Sequence, residues 1–137
     1  MNGSTVFLDT NIVVYAYSGT ELDKQSISRN ILAMDNTVVS TQVLQEFANT
    51  LIRKFKTDYP AVAKTLMECI QNSNTVHLND GNTVLRACQV GERYQFSFYD
   101  SMIVAAALES GCSILYSEDL QHNQTIEGTL RIVNPFR

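Results

Sequence analysis

A chain of 137 residues with 45% hydrophobic and 18% charged residues is long enough for one domain with a full hydrophobic core, in residues 1–137. No apolar run reaches the length of a membrane span, and the first four residues carry no basic region, so we predict a cytoplasmic protein without signal peptide or membrane contact. The net charge of −4 is unlike that of a typical nucleic-acid-binding protein.

Short apolar runs alternate with helical patterns along the chain. The predicted strands are Thr5–Leu8, Thr37–Val39, Thr75–Leu78, Ser113–Tyr116 and Arg131–Val133. The predicted helices are Asn11–Ser18, Glu21–Met34, Thr41–Lys56, Pro60–Asn72, Asp80–Tyr94 and Tyr99–Ser110. The first four strands are largely apolar, as strands buried on both faces are. This order predicts an α/β protein, a three-layer α/β/α sandwich around a five-stranded, mainly parallel sheet.

Two consecutive helices separate the second predicted strand from the third. The first helix has Thr41 as its expected N-cap and places Val43 and Phe47 on one apolar face. Such a pair can stand off the sheet as an αα-hairpin and offer a surface to a partner.

The three cysteines, Cys69, Cys88 and Cys112, are odd in number and far apart in the sequence. They lack the spacing of a zinc site or of a disulfide framework. We expect all three to be buried, reduced thiols.

Four acidic residues stand near the ends of predicted strands, where open α/β sheets bind their ligands. Asp9 and Asp119 follow strands, Glu46 lies in the helix after the second strand, and Asp100 opens an alanine-rich helix. Two unit charges about 4 Å apart repel by roughly 4 kcal/mol at an effective dielectric constant of about 20. Either some of these carboxylates stay protonated or a cation holds them together, and we predict a divalent-metal site.

Each acid also has an ordinary structural interpretation. Asp9 and Asp100 can each serve as a helix N-cap, and Glu46 can be a solvated side chain on its helix. Asp119 can belong to a polar loop. Its neighbour Glu118 can be the metal ligand in its place, and the sequence leaves these two acids open.

Basic residues are few but cluster at the end of the Glu46 helix, as Arg53, Lys54 and Lys56. Arg53 follows Glu46 by seven residues, which places it on nearly the same helix face, about 10 Å along the axis. This spacing suits contacts with a nucleic-acid backbone, and the alternative is favourable charge at a helix C-terminus. Cations bound by the acids would offset the negative net charge.

The four acids lie in four short segments. They are Phe7-Leu8-Asp9-Thr10-Asn11, Ser40-Thr41-Gln42-Val43-Leu44-Gln45-Glu46-Phe47, Phe98-Tyr99-Asp100-Ser101-Met102-Ile103-Val104-Ala105-Ala106-Ala107 and Ile114-Leu115-Tyr116-Ser117-Glu118-Asp119-Leu120. Together, in this order and at these separations, they resemble the PIN domain family, and more narrowly the VapC-like toxins of bacterial type II toxin–antitoxin pairs. Each segment alone is a weak signal, whereas four in register are a strong one.

The resemblance implies a Rossmann-like sandwich and a ribonuclease that depends on Mg²⁺ or Mn²⁺. The acidic positions of the family fall on the four acids named above. Its auxiliary hydroxyl falls on Ser117, where it can bond a metal-bound water or the phosphate, and we add Asn11 as a second auxiliary residue. The resemblance also implies a homodimer and a cognate antitoxin that occupies or distorts the acidic cleft. The helical pair Thr41–Asn72 is the candidate antitoxin-facing surface.

Two other classes of function stay open at this point. A metal-dependent phosphohydrolase also begins with an Asp after the first strand, but the haloacid-dehalogenase type requires a second Asp where Asn11 stands. A catalytically silent PIN scaffold that only binds RNA or protein is the other class. No P-loop or GxGxxG motif competes with these assignments.

Overall fold

A computed structural model describes residues 5–137, so the expectation placed on the first four residues lies outside the described residues. The strands are β1 (Val6–Leu8), β2 (Thr37–Ser40), β3 (Thr75–His77), β4 (Ile114–Tyr116), β5 (Thr125–Ile126) and β6 (Leu130–Val133). The helices are α1 (Thr10–Tyr17), α2 (Leu22–Leu32), α3 (Thr41–Arg53), α4 (Tyr59–Asn72), α5 (Gly81–Tyr94) and α6 (Phe98–Glu109).

The strands form one sheet in the order β3-β2-β1-β4-β6-β5. β1 lies between β2 and β4 and runs parallel to both, with Val6 opposite Thr37 on one side and Ile114 on the other. Because parallel strands end at the same edge, the segments that follow β1, β2 and β4 meet there. Those segments carry Asp9, the start of α3 and the loop that contains Asp119.

The helices form two packed groups. α1 contacts α2 and α3, and α3 contacts α4, while α5 packs against α6. With the sheet they make the predicted three-layer α/β/α sandwich. The helix α6 is buried from Ser101 to Ala107, which confirms the expectation from its apolar sequence.

The prediction of five strands was wrong by one, because β5 adds a short antiparallel edge strand next to β6. The turn between them has two central residues with positive φ, Glu127 at 51° and Gly128 at 72°. Turns of this kind match the twist of a β-hairpin. A strand of two residues shows no hydrophobic alternation, so the sequence pattern gives no sign of it.

Burial differs from the prediction in three places. β3 is an edge strand whose residues are exposed or half-buried, whereas we expected burial on both faces. α3 does not stand off the sheet, because Val43 and Phe47 are completely buried in the main core. Cys88 is exposed, although Cys69 and Cys112 are buried as expected.

The start of α3 also differs by one residue, because Ser40 is the N-cap and its hydroxyl accepts a hydrogen bond from the Val43 amide at 3.3 Å. Thr41 is the first residue inside the helix. Among residues 5–137, no helix combines the length and the apolar character that crossing a membrane requires.

Candidate active site

A cavity of about 290 Å³ lies at the carboxyl edge of the central strands, and all four predicted acids line it: Asp9, Glu46, Asp100 and Asp119. The remaining wall is formed by Thr10, Asn11, Gln42, Thr50, Tyr99 and Ile103. Residues from α1, α3, α6 and the loop after β4 therefore surround one space. This is where the sequence argument placed the acids.

Asp9 is the most buried of the four acids, with only 7% of its surface exposed. It is the N-cap of α1, and its Oδ1 accepts from the Thr10 amide at 2.7 Å while its Oδ2 accepts from the Ser117 hydroxyl at 2.8 Å. The pKa of Asp9 is raised to about 6, and burial is the largest cause. The negative charges of Asp119 and Glu46 contribute to this rise, whereas the two hydrogen bonds oppose it. A cation in the cavity would relieve both costs.

Glu46 projects from α3 and is held by two neighbours. Its Oε1 accepts from the Thr10 hydroxyl, and its Oε2 accepts from the Gln42 amide at 3.2 Å. Gln42 is one helical turn before Glu46, so both side chains leave the same face of α3. The same Gln42 nitrogen donates to the Tyr99 carbonyl oxygen at 3.2 Å, which ties α3 to the start of α6.

Asp100 and Asp119 approach the cavity from the other side. Asp100 is in the first turn of α6 but is not its N-cap, because Ser97 has that position and accepts from the Asp100 amide at 3.3 Å. Asp119 accepts from the Asn11 side-chain amide at 2.8 Å, and its own amide donates to the Ser117 hydroxyl at 3.3 Å. Both auxiliary residues named from the sequence thus contact the acids directly.

The position of Ser117 differs from the one that bonding a metal-bound water or the phosphate would require. It is completely buried beneath the cavity and does not line it, so its hydroxyl orients Asp9 rather than facing a ligand.

Glu118, the alternative to Asp119, lies outside the cavity. Its carboxylate accepts from the Tyr15 hydroxyl at 2.6 Å and is paired with Lys24. Burial opposes ionisation of Glu118, but the hydrogen bonds from Lys24 and Tyr15 outweigh it and lower its pKa. Glu118 therefore ties the loop that presents Asp119 to Tyr15 of α1 and Lys24 of α2, outside the cavity.

The four carboxylates face one cavity without closing around one point. Among residues 5–137, no three Asp, Glu, His or Cys side chains stand close enough together to enclose a metal ion. Mg²⁺ usually keeps several waters and binds through one or two carboxylates and the substrate phosphate. An open cavity whose four acids are all carboxylates, one of them with a raised pKa, fits a hydrated hard cation of this kind better than a closed cage of ligands.

The predicted basic cluster lies outside the lining of the cavity, and its contact with a nucleic-acid backbone stays a prediction. Arg53, Lys54 and Lys56 are exposed at and beyond the end of α3, and none of them lines the cavity. Sequence reasoning also missed four residues of the wall, which are Thr10, Gln42, Tyr99 and Ile103. The spacing of Gln42 four residues before Glu46 was a readable signal, whereas nothing in the sequence pattern marked Tyr99 as part of the site.

The family model described as "PIN domain" matches residues 6–127 of the chain. The chain belongs to the PIN domain family. The resemblance inferred from the four segments is thereby confirmed. No curated protein matches this PIN domain.

Two solved structures share the fold of this PIN domain. The toxin–antitoxin complex from Klebsiella pneumoniae superposes with a TM-score of 0.69 at 20% identity, covering 96% of this chain and 98% of the other. The crystal structure of Mycobacterium tuberculosis VapC20, described as a sarcin–ricin loop cleaving toxin, gives a TM-score of 0.63 at 19% identity, covering 84% and 90%. At these identities the likeness establishes the fold.

Proposed function

We propose that this PIN domain is a divalent-metal-dependent endoribonuclease and the toxin of a toxin–antitoxin pair. The observation that carries the proposal is the convergence of Asp9, Glu46, Asp100 and Asp119 on one open cavity. The two structural neighbours support it, since one is described as an RNA-loop-cleaving toxin and the other as a toxin–antitoxin complex.

In this mechanism Asp9, Asp100 and Asp119 would hold a hydrated Mg²⁺ or Mn²⁺, and Glu46 would bind a second ion or act through a water. The ion would stabilise charge on the scissile phosphate and lower the pKa of the attacking water. Thr10 and Gln42 fix the Glu46 carboxylate, while the hydroxyl of Ser117 fixes Asp9. Water would attack phosphorus in line with the 3′ oxygen, and the P–O3′ bond would break. The attacking water would lose one proton and the leaving 3′ oxygen would gain one, so that a 5′-phosphate and a 3′-hydroxyl remain.

The test is cleavage of labelled transfer RNA and of unstructured RNA by the wild type and by Asp100→Asn, in Mg²⁺, in Mn²⁺ and in EDTA. We expect metal-dependent cutting by the wild type and a loss of roughly a hundredfold or more in Asp100→Asn, since the metal contributes several kcal/mol to catalysis. Asp23→Asn, an exposed Asp of α2, is the matched control and should cut normally. Circular dichroism verifies that the fold of each variant is intact.

Other outcomes of the same assay identify the competing classes. Full activity of Asp100→Asn would remove this residue from the mechanism. Hydrolysis of small phosphate esters without RNA cleavage would favour a phosphohydrolase, although Asn11 stands where a haloacid-dehalogenase type needs an acid and instead donates to Asp119. If the protein neither cleaves RNA nor responds to Mn²⁺, a silent scaffold is favoured.

A homodimer and an antitoxin partner belong to the same proposal. The candidate antitoxin-facing surface is the α3–α4 pair, where Tyr59, Met67 and Ile70 of α4 are exposed large apolar side chains. Sedimentation of the isolated protein at micromolar concentration tests the dimer, and a strict monomer would contradict it.

A further inference from the structure

We propose that Tyr99 is a stacking platform for an unpaired RNA base at the rim of the acidic cavity. The inference rests on the proposed function, because it places RNA in that cavity. It adds a binding residue that is not an acid.

The first observation is the exposure of an aromatic pair at the rim of the cavity. Tyr99 is 67% exposed and Phe98 is 46% exposed, although both are large apolar side chains. Their ring centroids are 5.3 Å apart with an interplanar angle of 72°, so Phe98 supports the Tyr99 ring edge to face. Tyr99 is a lining residue of the cavity and directly precedes Asp100 in the chain.

The second observation is the charge of the cavity wall. The described lining residues include four acids but no lysine or arginine, and Arg53, Lys54 and Lys56 stand at and beyond the end of α3, outside this lining. Cations on the protein that neutralise phosphates supply most of the affinity in ordinary nucleic-acid binding, and this wall has none. Base stacking on aromatic rings is the other general source of affinity for single strands, and Tyr99 is the one aromatic residue of the described wall.

The third observation is that the backbone of Tyr99 is held firmly. Gln42, which is only 7% exposed, donates to the Tyr99 carbonyl oxygen and to the Glu46 carboxylate from the same nitrogen. Ser97 caps the helix that begins at Phe98. Since the ring starts from a fixed backbone, fewer degrees of freedom must be ordered when a base binds.

The inference is tested by fluorescence, because the chain contains no tryptophan and Tyr99→Trp introduces a single reporter. The protein in Ca²⁺ is titrated with a short polyadenosine strand, with the same strand annealed to polyuridine, and with an abasic strand of equal length. We expect quenching of the indole by the single strand and little change with the duplex or the abasic strand. Leu85→Trp, at a 65% exposed position of α5 that does not line the cavity, is the matched control and should not respond.

Affinity gives a second, independent measurement. Tyr99→Ala should weaken binding of the single strand by roughly tenfold or more, whereas Tyr99→Phe should bind like the wild type, since the ring is retained. Unchanged affinity in Tyr99→Ala, or equal quenching by the abasic strand, would overturn the stacking role.

The failure of this inference can be separated from failure of the proposed function. A wild type that cuts RNA while Tyr99→Ala binds it equally well would remove the stacking role alone. A wild type that neither binds nor cuts any RNA would remove both. If Tyr99→Ala loses only its capture by the antitoxin, the aromatic pair is a protein-binding surface instead, and the inference is wrong.

Discussion

Asp9 is both the N-cap of α1 and a buried acid of the cavity, and these two roles act on stability in opposite directions. Its hydrogen bond to the Thr10 amide stabilises the helix, by about 1 kcal/mol for a typical cap. Its burial beside Glu46 and Asp119 penalises the ionised form. A buried carboxylate whose ionised form destabilises the protein in the absence of a cation is suited to binding a cation.

The pH dependence of stability follows from the pKa of Asp9. That pKa is about 6 in the folded protein against an ordinary value of 3.8, so the folded state keeps a proton that the unfolded chain has lost between these values. In EDTA the contribution of Asp9 is fully present below about pH 4 and is lost as the pH rises through 6, a change of about 3 kcal/mol. Urea unfolding of the wild type at several pH values measures it.

The variant Asp9→Asn isolates this effect, because an amide cannot ionise. In EDTA near pH 8 it should be more stable than the wild type, and near pH 4 the difference should vanish. Asp23→Asn, in the exposed first turn of α2, should follow the wild type at every pH. Identical pH profiles for the wild type and Asp9→Asn would show that Asp9 is not the group responsible.

Asp9, Glu46 and Asp119 could be predicted from the sequence because they come after strands, and parallel strands end at one edge. Asp100 follows the helix α5, and its family segment rather than a strand identified it. Their partners could not be predicted in this way. Thr10 meets Glu46 across 36 positions of sequence, and Gln42 meets Tyr99 across 57. Such contacts depend on how α1, α3 and α6 are placed in space, which local patterns do not determine.

At the scale of elements, the close packing of α5 against α6 positions the helix that carries Asp100. A Cβ placed on Gly91 of α5 would lie 2.9 Å from the Ser101 Oγ of α6, which itself donates to the Ser97 carbonyl at 2.7 Å. A side chain at position 91 would therefore disturb the capped first turn that presents Asp100 to the cavity.

Whether Gly91→Ala raises or lowers the free energy of unfolding consequently depends on the neighbouring residue, Ser101. In a helix interior the change from Gly to Ala is worth about 1 kcal/mol in favour of Ala, but here the contact with Ser101 opposes it. In a Ser101→Ala background the atoms nearest to a Cβ at position 91 are the Phe96 carbonyl oxygen at 3.6 Å and the Cβ of residue 101 at 3.7 Å, which are ordinary contacts. Gly91→Ala should then stabilise the protein. Urea unfolding of the wild type, the two single variants and the double variant should give a coupling energy between positions 91 and 101 of at least about 0.5 kcal/mol. Simple additivity of the two changes in unfolding free energy would contradict this prediction.

The predictions that were wrong for particular elements were wrong for local reasons. Ser40 and Thr41 are adjacent residues that both cap well, so a pattern cannot choose between them. The edge strand β5 has two residues, too few for a period. The central strands β1, β2 and β4, whose apolar runs are unambiguous, were placed to within one residue.

At the scale of the whole molecule, four of its 14 acidic residues face one cavity in a chain of net charge −4. The fold thus concentrates like charge at one sheet edge instead of spreading it over the surface. Local repulsion of this kind lowers the stability of the metal-free protein. A cation bound there would link the proposed catalysis to the global stability of the protein.

Mn²⁺ should therefore stabilise the native protein by mass action, since the unfolded chain does not assemble the cavity. At a metal concentration about 100 times the dissociation constant the gain is about 2.7 kcal/mol, or roughly 10 °C in melting temperature. Asp119→Asn should lose most of this gain, whereas Asp23→Asn should keep it. The gain should be larger near pH 8 than near pH 5, because binding requires ionised Asp9 and its pKa is about 6. Differential scanning calorimetry with and without Mn²⁺ measures the effect, and equal shifts in the wild type and Asp119→Asn would place the ion elsewhere on the molecule.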